Sequence, residues 1–120
     1  MAFRFESLEI WKLAIDYANK LYDIANKFPK QEQFALADQL RRAAVSISNN
    51  IVEGSGSSTA KGFCSFLSFS IRSTLETVNV LYFAQNRGYI TEKQRKILYT
   101  EAEKLIRKIR AFQKTLSNKH

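Results

Sequence analysis

Four stretches of the chain carry apolar residues at steps of three and four, the spacing at which side chains share one face of an α-helix. They predict helices over residues 8–27, 31–53, 60–87 and 92–116. Pro29 should end the first helix because it cannot continue the hydrogen-bond ladder, and Gly88 follows the third. Thr91 and Gln94 match a capping box at the start of the fourth. Four amphipathic helices joined by short loops predict an all-α, antiparallel up-down-up-down four-helix bundle, a single domain over residues 1–120.

The second predicted helix carries a polar row beside its apolar face. A solvated row would be expected to hold Lys and Glu, whereas this one is rich in Asn and Ser, so we expect it to pack against something or to bind something. Together with Glu76 of the third helix, we interpret it as an internal hydrogen-bond network. Such a network would set helix register within the bundle, or the packing of one subunit against the next. The row recurs at steps of three and four and consists of Gln39, Arg42, Ser46, Asn49, Asn50 and Glu53.

The second and third predicted helices are apolar on two faces. The main face of the third helix includes Leu75 and Tyr82, and a further apolar row lies on its other side. A helix that is apolar on two faces is usually buried on two faces. In a chain of this size the extra faces predict self-association. The residues expected at the interface between subunits are Val45, Val52, Phe69, Val80 and Phe83.

The segment after the second helix, Gly54–Gly62, is rich in Gly and Ser and predicts a flexible loop. Gly54 suits a helix C′ position with positive φ. The loop lacks the spacing of a phosphate-binding G-x-x-x-x-G-K-[ST] motif and has no preceding strand. We expect an ordinary capped loop, with weak phosphate attraction near Thr59 and Lys61 as the alternative.

Positive charge is concentrated in the fourth helix and its tail. The chain has a formal net charge of +8, and from residue 91 onward nine Lys and Arg stand against three Glu, a net +6. Nucleic acid is the usual polyanion that such a surface meets, so we predict RNA or DNA binding through phosphates. The alternative is that the charge only maintains solubility. The basic residues on the outer face are Lys93, Arg95, Lys96, Lys104, Arg107, Lys108, Arg110 and Lys114.

The sequence contains few residues suited to catalysis. His120 is the sole histidine and stands at the C-terminal end, so histidine catalysis and inward-facing Glu-x-x-His metal pairs are not expected. Cys64 is the sole cysteine, which excludes an intramolecular disulfide and suits a reducing, cytoplasmic compartment. An acid–base pair of Glu53 and Glu76 is the remaining enzyme hypothesis, and pairing with Arg42 is the stronger interpretation. We therefore expect no enzyme activity, metal, cofactor or membrane span.

Several segments together resemble a known family. They are LEIWKLA at Leu8–Ala14, QLRRAAVSISNNIVEG at Gln39–Gly54, STLE at Ser73–Glu76 and GYI at Gly88–Ile90. In these segments the chain is similar to the proteins encoded in intervening sequences of bacterial 23S rRNA genes, a family that includes accessory proteins of diversity-generating retroelements. The resemblance implies a left-handed four-helix bundle that assembles into a barrel-like homopentamer. It also implies, for the retroelement accessory proteins, a basic surface that binds nucleic acid and a barrel that binds a reverse transcriptase.

Two functional hypotheses follow. The first is a non-catalytic, self-assembling basic bundle that binds RNA or DNA through phosphate contacts. The second is a protein-binding scaffold or accessory factor, for example for a reverse transcriptase, without a direct nucleic-acid function.

Overall fold

The computed structural model describes residues 2–118, so the prediction for His120 lies outside the described residues. A short 3-10 turn at Arg4–Ser7 precedes α1 (Glu9–Asn26), and a second one lies at Lys30–Glu32. It is followed by α2 (Leu36–Ser55), α3 (Ala60–Asn86) and α4 (Glu92–Ser117). Over this range the structure contains no strand, and the prediction of an all-α four-helix protein is confirmed.

The helices pack as a bundle in which α1 and α3 each contact α2 and α4 and lie diagonally opposite one another. Lys20 Nζ lies 3.0 Å from Glu101 Oε1, and Lys108 Nζ lies 3.4 Å from Glu9 Oε1, so α1 and α4 run in opposite directions. This order is compatible with up-down-up-down connection. Contacts between α2 and α3 also run in opposite sequence order, Ser46 with Ser73 and Gly54 with Phe63, so these helices are antiparallel. The same holds for α3 and α4, where Cys64 contacts Gln113 and Gln85 contacts Arg95.

The second helix begins at Leu36, five residues later than predicted. The residues before it are used to close the end of α1. Gln33 Nε2 donates to the backbone oxygens of Ala25 at 3.0 Å and Phe28 at 2.9 Å. Ala25 lies in the last turn of α1, where intrahelical partners run out, and Phe28 follows the C-cap Lys27. Local helical periodicity in residues 31–35 was therefore overridden by the need to cap the preceding helix.

Gly54 does not end α2, contrary to the prediction, since the helix continues to Ser55 and Gly56 is the C-cap with φ of −88°. The reason for a glycine at position 54 is close packing. A Cβ placed there would lie 2.7 Å from Phe63 Cδ1 and 2.9 Å from Phe66 Cβ. The positive φ occurs instead at Gly88, which follows α3 with φ of 79°.

The core lies between the four helices, and each contributes a fully buried leucine: Leu21, Leu40, Leu67 and Leu105. Val80, predicted at a subunit interface, belongs to this core and is only 1% exposed. The prediction was wrong because α3 is flanked by both α2 and α4, so its buried arc is wider than its main apolar row. Among the described residues, no helix combines the length and apolar character needed to cross a bilayer.

Candidate nucleic-acid interface

The outer face of α4 presents most of its predicted cations to solvent. The helix begins at a capping box in which the Thr91 hydroxyl accepts from Gln94 N at 3.0 Å. Its buried side is the row Leu98, Ala102, Leu105, Ile109 and Leu116, so the opposite side must face outward. Five basic side chains there are exposed and form no ion pair within residues 2–118: Lys93, Lys104, Arg107, Arg110 and Lys114.

The other three predicted cations have partners within the chain. Lys96 lies 2.8 Å from Glu92 one turn away, and Lys108 pairs with Glu9 of α1. The hydrogen bond from Lys96 holds the pKa of the Glu92 carboxyl below its ordinary value. Both side chains of that pair are more than half exposed, so the pair contributes little to stability and Lys96 can exchange partners.

Arg95 is held more firmly than the other cations of α4. Its Nε donates to Gln85 Oε1 at 2.9 Å, and its guanidinium lies over the Tyr82 ring, 4.5 Å from the ring centre. The Tyr99 ring lies on the same cation at 5.9 Å. Arg95 therefore joins α3 to α4 and is a structural element at the edge of the basic face.

The free cations extend along the whole helix. From Lys93 to Lys114 the helix rises roughly 32 Å at about 1.5 Å per residue. A nucleic-acid strand places one phosphate about every 3.4 Å, so a backbone lying along α4 would pass roughly nine phosphates. The geometry therefore allows several simultaneous phosphate contacts on one subunit.

The polar row of α2 lies in an open groove rather than in the interior. The groove has a volume of about 500 Å³ and is lined by Asp38, Arg41, Arg42, Ser46, Asn49, Asn50 and Glu53, with Tyr22 and Val45. Arg42 is 81% exposed in its side chain and pairs with Asp38 at 2.9 Å. Gln39, Asn49 and Glu53 are exposed as well.

A network forms in one part of this row only. The Ser46 hydroxyl lies 2.8 Å from the Ser73 hydroxyl of α3, and Asn50 Nδ2 donates to Ser46 O at 2.8 Å. The remaining predicted members, Gln39, Arg42, Asn49, Glu53 and Glu76, form no hydrogen bond to it within residues 2–118. The network is thus limited to the Ser46–Ser73 contact between α2 and α3 and the Asn50 bond within α2.

Glu53 and Glu76 are not brought together. Since Ser46 faces Ser73 and Gly54 faces Phe63, Glu76 lies beside about residue 43 of α2. That position is about ten residues, or roughly 15 Å, from Glu53 along the helix. Both carboxylates are exposed, and of the two only Glu53 lines the groove. Within residues 2–118, no three His, Cys, Asp or Glu side chains are grouped to hold a metal ion.

Exposed aromatic rings lie on the α3 face where self-association was predicted. Phe69 is 47% exposed and Phe83 is 53% exposed. Val45 of α2 is exposed too, but it lies beside Ala18 and Tyr22 of α1 and is not part of this face. Val52 is half-buried, and Val80 is excluded from this face because it lies in the core. The Arg72 guanidinium covers the Phe69 ring at 5.4 Å.

The loop before α3 is an ordinary capped loop. Thr59 is the N-cap of α3, and its hydroxyl accepts from Gly62 N at 3.0 Å. The Cys64 thiol, in the first turns of the same helix, donates to Gln113 O of α4 at 3.6 Å.

Sequence reasoning missed a second groove, between α3 and α4. Leu75 and Tyr82 were expected in the core, but Leu75 is 53% exposed and Tyr82 is also exposed. Leu75 and Val78 form one wall of a groove of about 510 Å³, and Tyr99, Ala102, Glu103, Ile106, Arg107 and Arg110 form the other. The sequence signal for this groove was that Leu75 stands at the edge of the apolar stripe of α3, where a side chain can remain exposed.

The fold and the α4 surface together define a basic four-helix bundle protein. The chain belongs to the 23S rRNA-intervening sequence protein family, whose family model matches residues 6–111. The resemblance noted in the sequence is thereby confirmed at the level of the family.

A solved structure supports the same fold. A protein of unknown function from the S23 ribosomal protein family of Bacteroides thetaiotaomicron superposes with a TM-score of 0.80. The match covers 88% of this chain and 98% of that chain at 19% identity, and at such identity it shows the fold alone. No curated protein sequence matches the chain.

Proposed function

We propose that the protein is a cytoplasmic, non-catalytic bundle that self-associates and binds nucleic acid through phosphate contacts along α4. The observation that supports this proposal best is the set of five exposed α4 cations without ion pairs in the described part of the chain. A basic side chain already paired to a carboxylate must give up that partner to bind a phosphate, whereas these five need not. The family description refers to 23S rRNA, which makes RNA the first polyanion to test.

Self-association would increase the affinity of this surface. Phe69 and Phe83 are exposed on α3, away from the buried side of that helix, and exposed aromatic patches commonly mark contacts with another molecule. A homopentamer, which the family resemblance implies, would present the α4 face five times. Repeated weak contacts gain through effective concentration, since each contact after the first is intramolecular.

The proposal predicts strongly salt-dependent binding with little sequence preference, because phosphate contacts release counterions and do not read bases. The test is fluorescence anisotropy with a labelled stem-loop RNA and a DNA duplex of equal length. With five phosphate contacts, the affinity should fall roughly 10²- to 10³-fold between about 50 mM and about 200 mM salt. An affinity that does not change over this range would refute the proposal.

A charge-neutralised variant locates the surface. Replacing Lys93, Lys104 and Lys114 with Gln should lower the slope of log affinity against log salt by roughly 2 to 3. These three side chains are exposed, so the fold should be unaffected.

The matched control replaces Lys12, Lys27 and Lys30, which are exposed and lie outside α4, and changes the net charge equally. Equal loss of affinity in the two triple variants would show a diffuse charge effect and would overturn the assignment to α4.

A further inference from the structure

We propose that the groove between α3 and α4 is a docking site for an acidic amphipathic helix of a partner protein. This binding site goes beyond the proposed nucleic-acid function: it shares Arg107 and Arg110 with that surface, but its apolar lining has no part in phosphate binding. The proposal rests on the groove's apolar floor, its arginine rim and its length.

The floor is apolar and continuous. Leu75 and Val78 of α3 face Tyr99 and Ile106 of α4, and the small side chain of Ala102 lies between them. Ala102 is fully buried, whereas Leu75 is more than half exposed, so the groove has a deep centre and an accessible wall. An apolar strip rimmed by charged side chains is a common form of contact site for another protein.

The rim is basic and its cations are free. Arg107 and Arg110 line the groove, and neither forms an ion pair within the described residues. Arg95 lies at one end, beside Tyr99. Glu103 is the one carboxylate among the lining residues, so the rim carries a net positive charge. Both arginines belong to α4, so charge complementarity favours a partner whose carboxylates flank its apolar stripe on the side that faces α4.

The dimensions suit a short helix. The lining residues of α4 run from Tyr99 to Arg110, about 16 Å at about 1.5 Å per residue, which equals roughly three helical turns. A partner helix with apolar residues at i, i+3 or i+4, and i+7 would place them against Leu75, Ala102 and Ile106. Its flanking Asp or Glu side chains would then reach Arg107 and Arg110.

Bases of a single strand are a poorer fit to the same groove. Base stacking needs an open aromatic face, and Arg95 already lies over the Tyr82 ring at 4.5 Å and beside Tyr99. Leu75, Val78 and Ile106 offer an apolar surface without a stacking plane. The groove's aliphatic character thus favours a protein helix over nucleic acid.

The probe is a labelled 14-residue peptide with Leu at the apolar positions and Glu on both flanks, titrated with the full chain by fluorescence anisotropy. Two further peptides replace every flanking Glu with Gln or with Lys. The expected order of affinity is Glu, then Gln, then Lys, with at least a tenfold difference between Glu and Lys. Absence of binding by the Glu peptide, or equal binding by all three, would overturn the proposal.

Leu75→Glu tests the site on the protein, and Ile97→Glu is its matched control. Both side chains are more than half exposed, but Ile97 lies on α4 outside the groove. Leu75→Glu should weaken peptide binding at least tenfold, and Ile97→Glu should leave it unchanged, with both variants as helical as the parent by circular dichroism. Equal effects of the two substitutions would refute the assignment.

Two other occupants are distinguished by the same variant. If Leu75→Glu abolishes binding of a single-stranded oligonucleotide and leaves peptide binding intact, the groove binds nucleic acid and the proposal is wrong. If it dissociates the protein into monomers by light scattering, the groove is covered by a second copy, which also overturns it. The Lys93, Lys104 and Lys114 variant should leave peptide binding unchanged, so this proposal and the nucleic-acid function fail separately.

Discussion

The Tyr17 phenol lies 2.8 Å from the Thr77 hydroxyl, which joins α1 to α3 across the diagonal of the bundle. Both residues are completely buried. Thr77 Oγ1 donates to Thr74 O at 2.6 Å, so its proton is already used and the phenol must donate to Thr77. Every hydroxyl in this diagonal contact therefore has a partner, as burial of polar groups requires.

This contact predicts a pH dependence of stability. Burial raises the pKa of Tyr17 to about 12, and the hydrogen bond with Thr77 opposes part of that rise. The folded chain holds the phenol proton up to about pH 12, whereas the unfolded chain releases it near pH 10. The contribution of the protonated phenol to the free energy of unfolding is therefore complete below pH 10. It is lost as the pH rises from about 10 to about 12, and the loss is on the order of 2 to 3 kcal/mol. Urea unfolding at a series of alkaline pH values measures it.

The variant Tyr17→Phe should lose about 1 kcal/mol at neutral pH, since one buried hydrogen bond is removed while Thr77 keeps its bond to Thr74. Its stability should decline less between pH 10 and pH 12 than that of the parent. Tyr99→Phe removes an exposed phenol and serves as the control. Parallel declines in the parent, Tyr17→Phe and Tyr99→Phe would contradict the role assigned to Tyr17.

Gly54→Ala should destabilise the fold even though alanine favours helices by about 1 kcal/mol over glycine. The new Cβ would lie 2.7 Å from Phe63 Cδ1 and 2.9 Å from Phe66 Cβ, so α2 and α3 must separate. Overpacking of this kind costs about 1–3 kcal/mol. At Gly56 the nearest atom to a new Cβ is 3.5 Å away, so Gly56→Ala should be neutral or stabilising. Equal shifts of the urea unfolding midpoint in Gly54→Ala and Gly56→Ala would refute the close-packing argument.

Gln33→Ala should destabilise the junction between α1 and α2 by about 1–2 kcal/mol, because the carbonyls of Ala25 and Phe28 lose the Gln33 amide, and only Ala25 O keeps a backbone donor, Phe28 N. Arg41 Nη1 would also lose Gln33 Oε1, which it approaches at 3.2 Å. Hydrogen exchange should increase in the last turn of α1 before it increases elsewhere. Gln31→Ala, at an exposed glutamine two positions earlier, should show neither effect. Similar exchange in both variants would argue against the cap.

Phe69→Asp with Phe83→Asp should dissociate the proposed assembly and keep the helical content, since both rings are about half exposed in the single chain. Light scattering at micromolar concentration should then give the monomer mass of 13.8 kDa. Phe34→Asp, at a position 98% exposed in the loop before α2, should leave the assembly intact. A parent protein that is already monomeric, or a variant that unfolds, would show that these rings have another role.

The sequence predicted the four helices of the bundle because each has a complete apolar stripe, and the ends of α2 were the part that it predicted poorly. The capping box at Thr91 and the glycine that follows α3, Gly88, were local signals, and both are present in the structure, whereas the positive φ expected at Gly54 occurs at Gly88. The five residues before Leu36 were wrongly predicted as helical because Gln33 donates a hydrogen bond to the end of α1. The spacing of apolar residues carries no information about such a contact with another helix. The positions of the α4 cations followed directly from the stripe opposite Leu98 and Leu105.

What the sequence by itself determined is the family, the four helices, the main buried face of each helix and the concentration of positive charge on α4. Only the tertiary structure decided whether residues at the edges of those faces are buried or exposed. Val80 lies in the core and Leu75 beside an open groove, although both stood in apolar rows of α3. The physical reason is that periodicity fixes the angle of a side chain about its own helix, while burial depends on where the neighbouring helices lie.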